Sequence, residues 1–168
     1  MVLIRTLDVR DVPTLWSINE EGVPGVGQIT SAAMEALLGF SSLALGVDGD
    51  AGLRGFVLCI RPGSAYDSPN YRWFQARYDS FLYVDRVAVA AGARDSGCGS
   101  LLYRAVFEYA DLHQTPVMAE VNVRPPNPGS LRFHTRHGFV EVGQQDHGHT
   151  AVTMLRRDPS AKGLDRVR

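Results

Sequence analysis

Three stretches of this 168-residue chain carry side chains that can seat an anion or move a proton. The first is ARDSGCGS, residues 93–100, where Gly97 and Gly99 flank Cys98 and Arg94 adds a positive charge. A glycine turn opening a helix offers bare N–H groups and the positive end of the helix dipole, a seat for phosphate. The second is VMAEVNV, residues 117–123. Strand alternation puts Met118, Glu120 and Asn122 on one face and Val117, Ala119, Val121 and Val123 on the other. A carboxylate beside an amide on a core strand needs partners or a task. Asp85 shares a face with Tyr83, Val87 and Val89 on the strand before the glycine turn, and is a second carboxylate able to take a proton. The third is His134, whose ring can titrate near neutral pH.

Two phosphate loops fail on residue identity. The Walker pattern needs a lysine before Ser or Thr, and the only lysine is Lys162. The dinucleotide fingerprint needs a glycine three residues after Gly99, where Leu102 stands. Cys98 at a helix start can have a lowered thiol pKa, but no His or acid adjoins it in sequence, so a small packing residue is the expectation. His134, His137, His147 and His149 show no metal-ligand spacing, and no metal is expected. Glu120 can equally form a salt bridge with Arg86 or Arg124.

These residues need a frame. Residues 2–7 read as a strand and 8–21 as a helix burying Leu15, Trp16 and Ile18. A second helix, 30–40, is capped by Thr30 or Ser31 and ends near Gly39. Residues 42–63 form a hairpin about Asp-Gly-Asp-Ala-Gly. A strand over 79–90 leads through the glycine turn into a helix over 97–114, with Leu101, Leu102, Ala105, Val106, Tyr109, Ala110 and Leu112 at helical spacing. Strand 116–123 meets Pro125, Pro126 and Pro128, which cannot donate ladder hydrogen bonds, so it should peel from its neighbour and leave a cleft. Helix 127–137 has Asn127 as cap, Pro128 at its first position and Gly138 as terminator. Strands 139–145 and 150–156 close the order β-αα-βββ-α-β-α-ββ. That order implies an α/β layer fold with helices on both faces of a mixed sheet, one domain over 1–157 and a flexible tail over 158–168.

Seventeen basic and eighteen acidic residues leave a net charge of −1, against a nucleic-acid surface. Two cysteines, Cys59 and Cys98, make no disulfide framework. No apolar run suits a signal peptide or a membrane span, so a cytoplasmic protein is expected. Residues 66–83 hold seven of the chain's fifteen aromatics. Tyr71, Trp73, Phe74 and Tyr83, with Asn122, are candidates for the wall of a pocket that takes a cationic amine. The same residues suit a homodimer interface or a small satellite core.

VDRVAVAAGARDSGCGSLLYRAV, residues 84–106, resembles the acyl-CoA-binding motif of the GNAT acyltransferase superfamily. That motif is an apolar strand, a turn, then Arg/Gln-x-x-Gly-x-Gly/Ala opening a helix, and Arg94, Gly97 and Gly99 occupy its defining positions. AEVNVRPPNPGSLRFHTRHGF, residues 119–139, looks like the superfamily's downstream block, an Asn-capped helix ending in Gly-Phe. The segment SPNYRWF with EVNVRPPNP also resembles a subgroup of predicted acetyltransferases with unassigned substrate.

The resemblance implies a mostly antiparallel sheet of about seven strands, splayed between two central parallel ones. Pantetheine of acetyl-CoA would pair with the strand at Val87, Ala88 and Val89. Its pyrophosphate would lie on the N–H groups of Arg94, Asp95, Ser96, Gly97, Cys98, Gly99 and Ser100, with Asn127, Ser130 and Phe133 as further cofactor contacts. The N–H near Val87 would hold the oxyanion, and Glu120, or else Asp85, would serve as general base. The family's tyrosine acid is here replaced by His134 after Phe133, so His134 becomes the candidate acid. The implied reaction carries acetyl from acetyl-CoA to a primary amine of a small molecule or protein N-terminus, by direct attack in a ternary complex. A non-catalytic acyl-CoA-binding module and an enzyme for another acyl group are the alternatives.

Overall fold

A glycine hairpin starts the sheet. In the computed structural model, which describes residues 1–161, β2 (Leu43–Gly49) and β3 (Gly52–Ile60) pair antiparallel from Leu43–Cys59 to Gly49–Gly52. Gly52 turns the chain at φ +106, a region closed to most side chains. β1 (Leu3–Thr6) adds to β2, Leu3 opposite Asp48. β4 (Leu82–Val89), β5 (Val117–Arg124), β6 (Val140–Asp146) and β7 (Ala151–Arg157) complete a seven-stranded sheet in the order β1-β2-β3-β4-β5-β7-β6. The β4–β5 pair is parallel and joins Leu82 to Val117 and Tyr83 to Met118. β7 runs antiparallel to both β5 and β6. The expected mixed, mostly antiparallel sheet is present.

The chain forms two compact units, Met1–Tyr66 with Val84–Val106, and Asp67–Tyr83 with the chain from Phe107 on. In the first, α1 (Val12–Gly22) follows a 3-10 turn at Val9–Asp11, so the helix expected from residue 8 begins later. Asp8 causes this: its carboxylate accepts from Arg10 N–H, while its own N–H donates to Asp11. α2 (Ser31–Phe40) starts at Thr30, whose hydroxyl accepts from Ala33 N–H at 3.1 Å. Leu15, Ile18, Met34, Leu37, Phe56 and Leu58 are buried together with β3 as this unit's apolar interior. Each such side chain contributes about 1.5–3 kcal/mol by leaving water. Trp16 does not join them; it is 38% exposed, and its indole N–H donates to Ile29 C=O.

The second unit contains a helix that the strand-and-turn pattern did not reveal. α3 (Pro69–Gln75) is started by Ser68, whose hydroxyl faces Tyr71 N–H, and by Pro69 in the first turn. α5 (Pro128–Arg136) begins as expected, with Asn127 Oδ1 accepting from Ser130 N–H at 3.2 Å. Gly138, at φ +89, ends it. α4 (Cys98–Leu112) runs from the first unit into the second, and its last residue, Leu112, is exposed rather than buried. Of the expected tail, Ser160 N–H donates to Asp111, and residues 162–168 lie outside the described residues. Among the described residues, no helix is long and apolar enough to cross a membrane.

Candidate active site

The glycine turn is built by local backbone geometry. After β4 the chain makes a 3-10 turn at Ala91–Ala93, then passes through Asp95 at φ 60 and Gly97 at φ 78 before α4. Left-handed residues interrupt helical hydrogen bonding and leave N–H groups facing outward. Ser96 Oγ donates to Ala93 C=O and tightens the bend. A Cβ at Gly97 would meet nothing within 4 Å, and one at Gly99 only Val89 Cγ2 at 3.9 Å. Gly97 thus answers a backbone requirement, and the space above both glycines is open.

The same unit braces the turn from two sides. Arg94 donates to the backbone carbonyl of Glu21 at 2.6 Å, and the Glu21 carboxylate accepts from Ala91 N–H at 2.6 Å. Nothing local in the sequence marked Glu21 for this role. From β3, Gly55 permits close packing: a Cβ there would lie 2.8 Å from Cys98 Sγ and 2.9 Å from Ala88 C=O. Cys98 is buried, and desolvation pushes its thiol pKa up, so its part is packing. Ala88 is likewise buried, while Val87 and Val89 are half-buried.

Asp85 is enclosed. One carboxylate oxygen accepts from Tyr66 Oη at 2.5 Å and the other from Arg86 Nε at 2.8 Å. Arg86 continues to Asn19 Oδ1 at 3.0 Å and to Gly27 C=O, which Asn19 also reaches. Only 5% of the Asp85 side chain and 13% of that of Arg86 are exposed. Both oxygens therefore hold structural bonds, and the network ties α1 and the segment after it to β4.

Glu120 lies half-buried on β5 in the second unit. Its Oε1 accepts from Tyr83 Oη at 2.9 Å and from Asn70 Nδ2 at 3.2 Å. Asn70 Oδ1 stands 3.0 Å from His147 Nε2. The arginines expected as rivals are engaged elsewhere, Arg86 with Asp85 and Arg124 with Asp146 at 2.7 Å. Asn122, half-buried, follows Glu120 on the same face, and its backbone C=O accepts from Asn127 N–H.

Four aromatics of 66–83 form the small satellite core expected as an alternative to a pocket wall. Tyr71, Phe74, Phe81 and Tyr83 are essentially fully buried and pack edge-on and tilted, with centroids 5.7–6.3 Å apart. Tyr71 and Phe74 thus form an apolar core and offer no open wall, because a cluster of rings excludes more water than a pocket lining would. Tyr83 serves both core and site, ring inward and hydroxyl on Glu120. Trp73 is half-buried beside Gly143, where an added Cβ would enter its ring, and Arg77 lies 4.0 Å over its face.

His134 is buried on α5 against Phe133 and Phe139, with centroids 5.5 and 5.0 Å away. Its Nδ1 lies 2.7 Å from Ser130 C=O, and a carbonyl only accepts, so Nδ1 carries the proton. Desolvation lowers its pKa below the ordinary 6.5. The neutral ring is therefore favoured at pH 7, which disfavours the imidazolium acid expected from its place in the helix. Phe133 also packs against His137 at 4.4 Å.

With this geometry in hand, known proteins give a consistent match. The model of the Acetyltransferase (GNAT) family matches residues 33–139. A phosphinothricin N-acetyltransferase of Streptomyces coelicolor is 43% identical over 60 residues, which span 34% of this chain and 33% of that enzyme. Among solved structures, the ribosomal-protein-S18-alanine N-acetyltransferase from Escherichia coli superposes with a TM-score of 0.75 at 13% identity, covering 100% of both chains. Arabidopsis thaliana NAA60 in complex with acetyl-CoA superposes at 0.71 and 18% identity, over 94% of this chain and 99% of that one. By its residues, its fold and the family match, the chain belongs to the GNAT acetyltransferase family.

Proposed function

We propose that this protein is an N-acetyltransferase that carries acetyl from acetyl-CoA to a primary amine of a small molecule or a protein N-terminus. One observation carries the reading: the Arg94–Ser100 turn, with Gly97 at φ 78 and open space over both glycines, leads into α4 inside the stretch matched to the family. Backbone N–H groups at a helix start stabilise pyrophosphate without side-chain reorganisation. Val87 to Val89 would pair with the pantetheine amides, as an added strand does.

Glu120 is the base in this proposal. Tyr83 and Asn70 hold its oxygen in place, whereas Asp85 is occupied by Tyr66 and Arg86. Glu120 takes one proton from the acceptor ammonium. The amine then forms the C–N bond, giving a tetrahedral oxyanion of the kind that a backbone N–H donor stabilises. Collapse breaks the C–S bond, and the second amine proton ends on the departing thiolate, giving amide and free coenzyme A. His134 contributes packing here, because burial keeps it neutral.

The test pairs calorimetric titration of acetyl-CoA with thioester consumption across small amines and N-terminal peptides. Binding with turnover on an amine supports the reading. Binding without turnover on any acceptor supports a non-catalytic acyl-CoA module. Absence of acetyl-CoA binding overturns both.

A further inference from the structure

We infer that Asn70 and His147 are positioning residues for the Glu120 carboxylate, holding it ionised and fixed; this rests on the reading of Glu120 as base. Asn70 Nδ2 donates to Glu120 Oε1 at 3.2 Å, the oxygen that also accepts from Tyr83. A hydrogen bond to a carboxylate stabilises its charged form, the form able to take a proton. An asparagine amide does this in only one of its two flip states. The flipped state sets Oδ1 against the carboxylate, acceptor against acceptor.

His147 selects the useful state. Its Nε2 lies 3.0 Å from Asn70 Oδ1, and since an amide oxygen only accepts, Nε2 carries the proton and donates. Asn70 thus receives a bond on one end and gives one on the other. Both residues sit on locally braced backbone. Asn70 lies in the first turn of α3, which Ser68 and Pro69 start. His147 sits in the β6–β7 turn, where its N–H donates to Thr150 C=O at 2.7 Å and Gly148 N–H to Asp146 at 2.8 Å. Tyr83 from β4 and His147, through Asn70, are the titratable groups on this chain of bonds, and Met154 faces Glu120 across the β5–β7 ladder. None of the four polar residues is near another in sequence, yet they line up from an exposed imidazole to a half-buried carboxylate.

The experiment compares wild type with Asn70→Ala, His147→Ala, His147→Gln and Glu120→Gln. It reads the Glu120 carboxyl by carbon-13 NMR titration without substrate, and the pH profile of kcat/KM with acetyl-CoA and an amine. Asn70→Ala should move the carboxyl titration upward by roughly half a unit to one unit, as loss of one donor to a carboxylate does. The acid limb of kcat/KM should move with it while KM for acetyl-CoA stays constant. His147→Ala, on an exposed turn that leaves α3 intact, should give a smaller shift of the same sign. His147→Gln should restore the wild-type value, because its amide can donate to Asn70 Oδ1. An unchanged carboxyl titration in Asn70→Ala, or equal shifts in His147→Ala and His147→Gln, overturns the positioning role alone. Unimpaired turnover in Glu120→Gln overturns the base reading and the positioning role together. The titration needs no turnover, so it decides the positioning even when no tested amine is acetylated.

Discussion

The hydroxyl of Tyr83 donates to Glu120 Oε1 over 2.9 Å, from a ring that is itself core to the second unit. A carboxylate held by a buried tyrosine has a fixed position. Glu120→Gln keeps size and polarity but removes the proton acceptor. It should lower kcat by roughly 10²–10⁴-fold, the usual contribution of a general base. Calorimetric affinity for acetyl-CoA should be unchanged. A kcat within a few-fold of wild type would remove Glu120 from the chemistry.

Asp85 should behave in the opposite way. Asp85→Asn leaves the Arg86 guanidinium, 13% exposed, without its counter-charge. Breaking a buried pair costs about 3–5 kcal/mol, so denaturant unfolding should show a large loss of stability. Turnover per folded molecule should be retained. A stable Asp85→Asn protein with abolished turnover would instead make Asp85 the base.

Gly97 carries a conformation as well as an open surface. Gly97→Val forces a branched side chain to φ 78, at a cost of about 1–2 kcal/mol. The space around it is empty, so the protein should remain folded by circular dichroism. The valine methyls would cover the turn's N–H groups, and acetyl-CoA affinity should drop by roughly tenfold or more. Unaltered affinity would place the pyrophosphate elsewhere.

Gly55 acts from the next strand. Gly55→Ala puts a methyl 2.8 Å from Cys98 Sγ and 2.9 Å from Ala88 C=O, and backbone cannot yield as a side-chain tip can. Overpacking of this kind costs about 1–3 kcal/mol. Thermal unfolding should show that loss, and acetyl-CoA binding should weaken with it because the start of α4 shifts. The companion Gly55→Ala/Cys98→Ala variant opens one of the two clashes and should recover part of the stability. No recovery would mean that the Ala88 carbonyl dominates.

His134 sets a pH dependence of stability. Its folded pKa is lowered by burial, whereas the unfolded chain titrates near 6.5. Between those values the unfolded state binds more protons, so the contribution is complete above pH 6.5 and is lost as pH falls toward the folded value. Urea unfolding at pH 7.5 and 5.5 should show a smaller pH difference in His134→Phe than in wild type. Turnover at pH 7.5 should change by less than about twofold, since a neutral ring supplies no acid proton. A tenfold fall would restore His134 as the acid.

Local pattern determined more of this protein than its 168 residues of unremarkable composition suggest. The hairpin at Asp48–Gly52, the Thr30 and Asn127 caps, the Gly138 stop and the glycine turn are contests between a residue and its nearest neighbours, and those were legible. Even α3 had a local signal in Ser68-Pro69, masked by the aromatics around it. Burial and partnership were not legible, because they depend on segments brought together from far along the chain. Asn70 and Glu120 are 50 positions apart, and Arg86 and Asn19 67. Alternation could place Glu120 on a face; that a tyrosine and an asparagine meet it there follows from the packing of segments distant in the chain. Aromatic density marked residues 66–83 as special, and packing turned Tyr71 and Phe74 into core because rings stacked together expose less surface than rings left around a pocket. His134 kept its position in the helix, and its burial works against a charged ring, since desolvation is set by what covers a side chain rather than by what precedes it.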